Sequence, residues 1–289
     1  MSAEIARELL CQQLTPRYGV GEARAIARIV FEDAFDRGRT FDPAMFNEIS
    51  LRLISGEPVQ YVLGAADFFG LKFKVDSSVL IPRQETEALV AWVLEALKSF
   101  SPLSSPALLD IGLGSGCIGI TLKKKRPGLQ LFGLEKSPTA LELALENAAR
   151  ILSPGVSSPQ FIAGDILNPV DWAKFPKLDI VVSNPPYIPH SEKNLVPDHV
   201  LSHEPALALF VDDPDPLLFY RVIADFSLEK LNPDGLLFFE CNEFNAPEVA
   251  RLLEAKGFSA VELRKDLAGA ERMVKAIVGQ TTGHGPANI

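Results

Sequence analysis

Four consecutive residues, Asn184-Pro185-Pro186-Tyr187, carry the groups best suited to chemistry in this sequence. The Asn184 side chain offers a carbonyl acceptor, and the backbone carbonyl of Pro185 offers a second one. The two prolines have no N–H donors and a restricted backbone, so the turn is stiff and presents acceptors only. Tyr187 supplies a flat ring on which a planar group can stack. The tetrapeptide therefore predicts a site that binds a planar NH2 group through both of its N–H bonds.

Methylation of an amide or exocyclic amine nitrogen requires such a site. The lone pair of these nitrogens is delocalised, so they are poor nucleophiles, and positioning close to the methyl donor provides most of the rate enhancement. A methylated amide loses its extra proton readily, so no dedicated base is required. We predict catalytic roles for Asn184, Pro185 and Tyr187, and substrate-binding roles for these three and Pro186. The structural alternative is a proline turn that only closes a strand.

A glycine-rich segment, Asp110 to Gly116, follows the first predicted strand of the C-terminal part. Glycines let the backbone approach a ligand closely, and the helix that begins near Cys117 offers unpaired N–H groups. A dinucleotide fingerprint would need glycine at position 117. The GxGxG spacing, with an acid two residues before it, instead favours S-adenosylmethionine, which carries no pyrophosphate. The cofactor-binding residues expected here are Asp110, Gly112, Leu113, Gly114, Ser115 and Gly116.

Within this segment, Asp110 is expected to order the loop and to contact the methionine ammonium. The next strand ends add further polar groups. Glu135 ends the second strand, where an acid can accept hydrogen bonds from ribose hydroxyls. Asp165 ends the third strand and can bind the adenine amino group, with Ile166 over the adenine face; a turn or helix cap is the alternative for Asp165. Asn184 ends the fourth strand and is expected to contact the cofactor as well as the substrate.

Alternating strand and helix patterns place these motifs in an α/β fold. The predicted strands are Ala107–Ile111, Leu129–Leu134, Gln160–Ala163, Leu178–Ser183, Leu236–Cys241, Ala260–Leu263 and Arg272–Val278. The connection between the last two strands is too short for a parallel crossover, so these strands should be antiparallel. We predict a class I methyltransferase-like Rossmann sheet, mostly parallel, with one antiparallel C-terminal strand.

The N-terminal part shows helical spacing and no strand pattern. Helices are expected from about Gly21 to Phe35 and after the Asp42-Pro43 cap, whereas Phe68–Val75 predicts a short hairpin and Gln84–Ser99 a further helix. The predicted organisation is a helical substrate-docking domain over 1–64, a hairpin linker over 65–82, a methyltransferase domain over 83–279 and a disordered tail over 280–289.

Composition narrows the function classes. The chain has 289 residues, 47% of them hydrophobic, and a formal net charge of −9, as expected for a packed acidic protein. Nucleic-acid binders usually have a basic surface, so this charge argues against a nucleic-acid partner. Three cysteines without paired spacing predict neither a disulfide framework nor a zinc site, and no metal is expected. The sequence shows no signal peptide or long apolar run, so we expect a cytoplasmic monomer without membrane contact.

Several motifs together resemble the HemK/PrmC family. The matching segments are Gly56–Tyr61, Phe69-Gly70 with Phe73, Val79–Glu87, Asp110–Gly116, Asn184–Tyr187, Glu204–Leu209 and Phe219–Arg221, and they extend over roughly residues 50–280. The resemblance implies a peptide chain release factor N5-glutamine methyltransferase that uses S-adenosylmethionine. Its substrate would be the glutamine of the GGQ loop of bacterial-type release factors, and the N-terminal helices would help to dock the release factor.

The resemblance also implies roles for individual residues. Gly112–Gly116 and Glu135 would hold the cofactor, Ile166 would lie near its adenine, and Asn184–Tyr187 would bind the glutamine. Arg83 would lie at the mouth of the site as a substrate-binding residue. The alternative for Arg83 is a surface ion pair with a neighbouring acid, Glu85 or Glu87.

The sequence departs from the family pattern at three positions. Leu113 stands where the family usually has threonine, Gln84 where it has a second proline, and Glu135 where it often has aspartate. Leu113 removes a hydroxyl from the cofactor loop, although backbone contacts do not depend on that hydroxyl. Gln84 bears on the branch of the family, because a related enzyme that methylates a ribosomal-protein glutamine differs after its Pro-Arg pair, while the Glu-Thr-Glu here favours the release-factor branch.

Other functions stay open at this stage. The NPPY tetrapeptide also occurs in enzymes that methylate the exocyclic amine of adenine, so N6-adenine methylation of nucleic acid is one alternative. N5-glutamine methylation of a ribosomal protein is a second. A non-catalytic binding module is disfavoured by the intact tetrapeptide, and an NAD oxidoreductase is disfavoured by Cys117.

Overall fold

The computed structural model describes residues 2–35, 41–266 and 268–279. Its helices are α1 Ala3–Val30, α2 Pro43–Ser55, α3 Val59–Leu63, α4 Gln84–Ala96, α5 Cys117–Lys125, α6 Pro138–Ile151, α7 Pro169–Trp172, α8 Asp198–His203, α9 Ala206–Leu209, α10 Leu218–Lys230 and α11 Ala246–Ala255. Its strands are β1 Ala65–Phe68, β2 Leu71–Lys74, β3 Ala107–Ile111, β4 Gln130–Glu135, β5 Gln160–Ala163, β6 Leu178–Ser183, β7 Ile188–Pro189, β8 Phe210–Val211, β9 Leu231–Glu240, β10 Phe258–Lys265 and β11 Glu271–Val278.

The N-terminal part is helical, as predicted. Gly19 has a φ of 74°, which breaks α1 into two stretches, and a π-helical turn over Phe31–Phe35 follows the second stretch. Asp42 caps α2 by accepting a hydrogen bond from Ala44 N at 2.9 Å, and Gly56 ends it in the left-handed conformation. These helices enclose an apolar cluster of their own. The 1–64 boundary of a helical domain stays a prediction.

A β-hairpin follows the helices. Strands β1 and β2 pair antiparallel with Phe68 opposite Leu71, and the turn residues Phe69 and Gly70 have positive φ values of 51° and 73°. The predicted hairpin started at Phe68, three residues too late, because the Ala65-Ala66-Asp67 stretch lacks the β-branched residues typical of strands. The hairpin contacts the helices through an ion pair between Lys72 Nζ and Asp33 Oδ2 at 2.7 Å.

The central sheet has seven strands in the order β10-β11-β9-β6-β3-β4-β5. The pairs among β9, β6, β3, β4 and β5 are parallel, whereas β11 is antiparallel to both of its neighbours. The predicted mostly parallel sheet with one antiparallel C-terminal strand is therefore confirmed. The prediction that β9 starts at Leu236 was wrong, because the strand begins at Leu231 and passes through an Asn-Pro-Asp-Gly segment that has the composition of a turn.

Helices cover both faces of the sheet. Alternate strand residues point to opposite sides, so Leu109 and Val181 pack with α10 and α11, while Leu108 and Ile180 pack with α4 and α5. This burial on both faces is typical of a parallel sheet.

The chain reverses direction across the sheet at β3. After β3 it proceeds to β4 and β5 on one side, and then returns to β6 on the other side. Ile111, at the end of β3, is opposite Leu134 of β4 and Ser183 of β6. Ligands of open α/β sheets bind in the crevice at such a switch point, outside the carboxyl ends of the strands. The glycine-rich loop and the tetrapeptide leave the sheet on the two sides of this crevice.

Within the described ranges, no helix is long and apolar enough to cross a membrane. The predicted disordered tail, 280–289, lies outside the described residues.

Candidate active site

A cavity of about 350 Å³ lies in the crevice at the carboxyl edge of the sheet. Its walls combine the glycine-rich loop, the ends of β4, β5 and β6, and residues of the linker, α9 and α10. The lining residues predicted from the sequence are Arg83, Gly112, Leu113, Gly114, Ser115, Glu135, Asp165, Ile166, Asn184, Pro185 and Pro186. The cofactor loop and the tetrapeptide therefore share one cavity.

The glycine-rich loop is held by backbone contacts to β4. Gly112 N and Leu113 N both donate to Leu134 O, at 2.9 and 3.2 Å. Gly112, Gly114 and Gly116 all have positive φ, between 53° and 78°, a region that side chains rarely adopt. The loop conformation therefore requires glycine at these three positions.

Leu113 is buried against β4. Its side chain is 3% exposed, and its Cδ atoms would lie 3.0 Å from a Cβ placed on Gly133. The absence of a side chain at Gly133 makes room for leucine in the loop. Leu113 therefore adds apolar packing between the cofactor loop and β4.

Asp110 supports the loop from behind. Its Oδ2 accepts a hydrogen bond from Gly119 N of α5 at 2.8 Å, and the residue is 1% exposed. Burial raises the pKa of Asp110 to about 8, and the nearby Glu135 charge also raises it, against the effect of the Gly119 hydrogen bond. Asp110 and Gly116 do not line the cavity, so we expect both to act on a ligand through the loop. The predicted contact of Asp110 with the methionine ammonium stays a prediction.

Glu135 ties the loop to the start of α6. Its Oε2 accepts from Gly114 N and its Oε1 accepts from Ser137 N, both at 2.8 Å. The residue is 8% exposed and lies on the cavity wall. Each carboxylate oxygen keeps a further lone pair that can accept a hydroxyl hydrogen.

The end of β5 contributes a polar and an apolar residue. Asp165 forms a turn by accepting from Leu167 N at 2.9 Å, and its other oxygen pairs with Lys136 Nζ at 2.9 Å. The turn role that was the alternative for Asp165 is thus present, and the side chain also lines the cavity. Ile166 is 6% exposed and presents an apolar surface to the cavity.

The tetrapeptide leaves β6 at the opposite wall. Ser183 Oγ donates to Ile111 O at 2.8 Å, which fixes the end of β6 to the end of β3 immediately before Asn184. Asn184, Pro185 and Pro186 line the cavity, but Tyr187 does not. The Tyr187 ring packs against the apolar core instead, and burial raises its pKa to about 12. Its predicted stacking role stays a prediction.

Arg83 lines the cavity, and its ion-pair partner is not one of the neighbouring acids that the sequence suggested. Its Nη2 lies 2.6 Å from Glu204 Oε1, rather than pairing with Glu85 or Glu87. Glu87 instead accepts from Phe69 N in the hairpin turn. Glu204 is 1% exposed at its side chain and also accepts from Ile81 N at 3.2 Å. This acid therefore joins the segment before α4 to the loop that follows the tetrapeptide.

Two acids that interact with lining residues, Glu204 with Arg83 and Glu240 with Asn184, were not predicted as functional residues from the sequence. Glu204 was noticed only as part of a family segment, and Glu240 was not singled out at all. Glu240 ends β9 and is 5% exposed, and burial raises its pKa to about 7. An acid that ends a strongly apolar strand, Leu236-Leu237-Phe238-Phe239, is a usable signal for such a residue.

No group of three or more histidine, cysteine, aspartate or glutamate side chains suited to a metal ion occurs among the residues that the structure describes. His190 stacks on Phe210 at a centroid distance of 5.2 Å, and His203 Nδ1 contacts His199 O at 2.9 Å. His203 is the last residue of α8, and His190 begins a 3-10 helical turn over His190–Leu195.

Known proteins share this fold. Residues 89–204 match the family described as Methyltransferase small domain. Among solved structures, the hMettl16 catalytic domain in complex with MAT2A 3'UTR hairpin 6 has a TM-score of 0.58 at 14% identity. That likeness covers 88% of this chain and 91% of the other, and it concerns the fold alone.

Closer relatives are similar in sequence as well. A release factor glutamine methyltransferase from Flavobacterium psychrophilum is 42% identical over 227 residues, which cover 78% of each chain. One from Bacteroides thetaiotaomicron is 39% identical over 228 residues, which cover 79% of this chain and 78% of the relative. With this similarity over most of both chains, and with the motifs in one cavity, the chain belongs to the release factor glutamine methyltransferase family.

Proposed function

We propose that this protein transfers a methyl group from S-adenosylmethionine to the side-chain amide nitrogen of the GGQ-motif glutamine in peptide chain release factors. One observation carries the proposal: the acceptor-only turn at Asn184 and Pro185 lines the same cavity as the glycine-rich loop and Glu135. Family membership supports the glutamine of a release factor as the substrate.

The cavity residues fit S-adenosylmethionine. Glu135 offers carboxylate lone pairs for ribose hydroxyls, Ile166 offers an apolar surface for the adenine, and the loop at Gly112–Ser115 offers backbone groups at close approach. When bound, S-adenosylmethionine supplies an electrophilic methyl group on a sulfonium. The volume of about 350 Å³ is in the range of small-molecule sites.

The tetrapeptide would hold the substrate amide. Asn184 Oδ1 and the Pro185 carbonyl each accept one amide N–H, which fixes the plane of the NH2 group and directs the nitrogen into the cavity. Neither proline has an N–H that could compete for these acceptors. The chain contributes mainly by positioning the nitrogen, and the proton released from the methylated nitrogen passes to water.

The proposal is tested with purified protein, labelled S-adenosylmethionine and a release factor, followed by peptide mass mapping. We expect one methyl group on the GGQ glutamine, formed at least about 100-fold more slowly by Asn184→Ala and at the wild-type rate by Asn168→Ala. Asn168 is a matched control because it only caps α7 and does not line the cavity. Label on a ribosomal protein or on RNA instead of the release factor, or an undiminished rate of release factor methylation by Asn184→Ala, would refute the assignment.

The oligomeric state and the metal dependence of the activity can be tested separately. We expect a monomer in size-exclusion chromatography with light scattering, and activity that is unchanged by a chelator. Loss of activity with chelator that a divalent cation restores would contradict the expectation that no metal takes part.

A further inference from the structure

Glu240 lies beside Asn184 at the carboxyl edge of the sheet. Strands β6 and β9 are parallel neighbours with Ser183 opposite Phe239, so the next residue of each strand is Asn184 and Glu240. Glu240 is also opposite Met273 of β11, so it lies between two strands rather than at an edge. A carboxyl group at this position is 5% exposed, which is costly unless it has a function or full hydrogen bonding.

The hydrogen bonding of Glu240 is incomplete. Its Oε2 is buried without a hydrogen-bond partner among the described residues. The side chains of Thr86 and Asn184 interact with the carboxyl group and lower its pKa, as does the charge of Arg272, whereas burial and the charge of Glu85 raise it. The other titratable groups that face Glu240 are Tyr187, Tyr220, Cys117 and Cys241, all with pKa values raised by burial.

The orientation of the Asn184 amide decides what this residue can bind. An asparagine side chain has an acceptor oxygen at one end and an NH2 donor at the other, and a half-turn about the terminal bond exchanges them. A substrate NH2 group needs the oxygen to face the cavity. The NH2 end of Asn184 must then face protein, and it requires an acceptor there.

We propose that Glu240 is a positioning residue whose ionised carboxylate accepts a hydrogen bond from Asn184 Nδ2 and thereby holds Asn184 Oδ1 toward the substrate amide. An ionised carboxylate has acceptors only, so it selects the NH2 end of Asn184. The charge also polarises the Asn184 amide and strengthens Oδ1 as an acceptor. The inference rests on the proposed function, because it assigns Asn184 to the substrate NH2 group.

Protonation of Glu240 would reverse this selection. A neutral carboxyl group can donate its O–H to Asn184 Oδ1, which leaves the NH2 end of Asn184 facing the donors of the substrate. Because the pKa of Glu240 is raised to about 7, the active ionised form prevails above that pH and is lost below it. The inference therefore predicts that kcat/KM for the release factor falls as the pH decreases through about 7.

The test compares wild type with Glu240→Gln over pH 5.5–9, the range in which a group of raised pKa titrates. Glutamine keeps the size and one acceptor oxygen but carries no charge. We expect kcat/KM at pH 8 to fall about tenfold, since a charge-assisted hydrogen bond is replaced by a neutral one, and the loss of activity at low pH to disappear. Glu262→Gln is the matched control, since Glu262 lies on β10 and pairs with Lys275 away from the cavity. It should keep the wild-type profile.

A double-mutant cycle tests whether Glu240 acts through Asn184. In single-turnover assays, Asn184→Ala and Asn184→Ala/Glu240→Gln should have equal rates within about twofold, because the second change has no amide left to orient. If the rate of the double mutant is instead reduced by the product of the two single-mutant reductions, the inference is wrong. It is also wrong if kcat/KM of Glu240→Gln still falls at low pH. If wild type itself transfers no methyl group to the release factor, the proposed function fails and the inference fails with it.

A spectroscopic readout keeps the test independent of the folding of Glu240→Gln. In 15N-labelled wild type, the side-chain NH2 signal that is absent from Asn184→Ala should shift with an apparent pKa near 7. A signal that does not change over this range would overturn the inference. Cofactor affinity by calorimetry should stay close to wild type in Glu240→Gln. Its melting temperature at pH 8 should not fall below that of wild type, because the change removes a buried carboxyl group whose pKa is raised.

Discussion

Replacement of Glu204 with alanine should destabilise the protein and loosen the mouth of the cavity. Glu204 Oε1 lies 2.6 Å from Arg83 Nη2, and Oε2 accepts from Ile81 N at 3.2 Å. The Glu204 side chain is 1% exposed, and Ile81 is 4% exposed, so water has little access to the Ile81 N–H. Alanine leaves this N–H without its acceptor and Arg83 without its counter-charge.

The magnitude follows from the exposure of each partner. An unsatisfied buried N–H costs about 1–3 kcal/mol. Arg83 is 36% exposed at its side chain and can be hydrated, so the lost ion pair adds only about 0–1 kcal/mol. A loss near 2–3 kcal/mol corresponds to a decrease of roughly 5–10 °C in the melting temperature of a protein of this size. Glu204→Gln keeps an acceptor for Ile81 N, so its melting temperature should decrease by less than half as much.

Thermal denaturation followed by circular dichroism measures the effect without cofactor or substrate. Glu262→Ala is the control, because its ion pair with Lys275 is surface-exposed on the Glu262 side and should contribute less than about 1 kcal/mol. In activity assays, Glu204→Ala should raise the KM for the release factor more than the Kd for S-adenosylmethionine, since it frees Arg83. A melting temperature within about 2 °C of wild type would refute the reasoning from burial.

Three other substitutions test the cofactor side. Glu135→Gln replaces one of two acceptor oxygens by an NH2 group that faces a backbone N–H, so the Kd for S-adenosylmethionine measured by calorimetry should rise about 10–100-fold. An increase of less than about threefold would count against a role of Glu135 in cofactor binding. Gly133→Ala places a Cβ 2.7 Å from Phe161 Cδ1, so it should lower the free energy of unfolding measured in urea by about 1–3 kcal/mol. Gly21→Ala is the control, because the space around Gly21 is open and the change should be neutral or stabilising. Asp110 has a pKa of about 8 in the folded state against its usual 3.8, so its contribution to stability is full below pH 4 and is lost as the pH rises toward 8. The stability of Asp110→Asn relative to wild type should therefore increase between pH 5 and pH 8. A stability difference that stays constant over this range would contradict the raised pKa.

The strands that carry the site could be predicted because their patterns are local. Apolar runs such as those of β3 and β6 are bounded by a glycine loop and by prolines, and both strands were predicted with the bounds that the structure has. The start of β9 was predicted five residues too late, because the segment 232–235 has turn composition and forms an irregularity between the pairings of Leu231 and Leu236 with β6.

Contacts between distant segments could not be predicted in this way. Arg83 and Glu204 are 121 residues apart, so the local acids Glu85 and Glu87 looked like equally good partners. Tyr187 has the residue type for stacking on a substrate, but the path of the chain after Pro186 turns its ring toward the core. Residue type and strand position thus identified the cavity, whereas side-chain direction within it required the fold.

Three acids at the carboxyl edge of the sheet share a feature that bears on catalysis. Asp110 accepts from Gly119 N, Glu135 from Gly114 N and Ser137 N, and Glu204 from Ile81 N. Each therefore uses the oxygens of its carboxyl group to hold a backbone segment that forms or supports a wall of the cavity. Backbone held in this way needs little rearrangement when a ligand binds, which matters most for a reaction whose rate depends on placing a weak nucleophile. The acids of this site therefore act first as supports for the cavity walls, and their removal should impair the alignment of substrate and cofactor even where no direct ligand contact is lost.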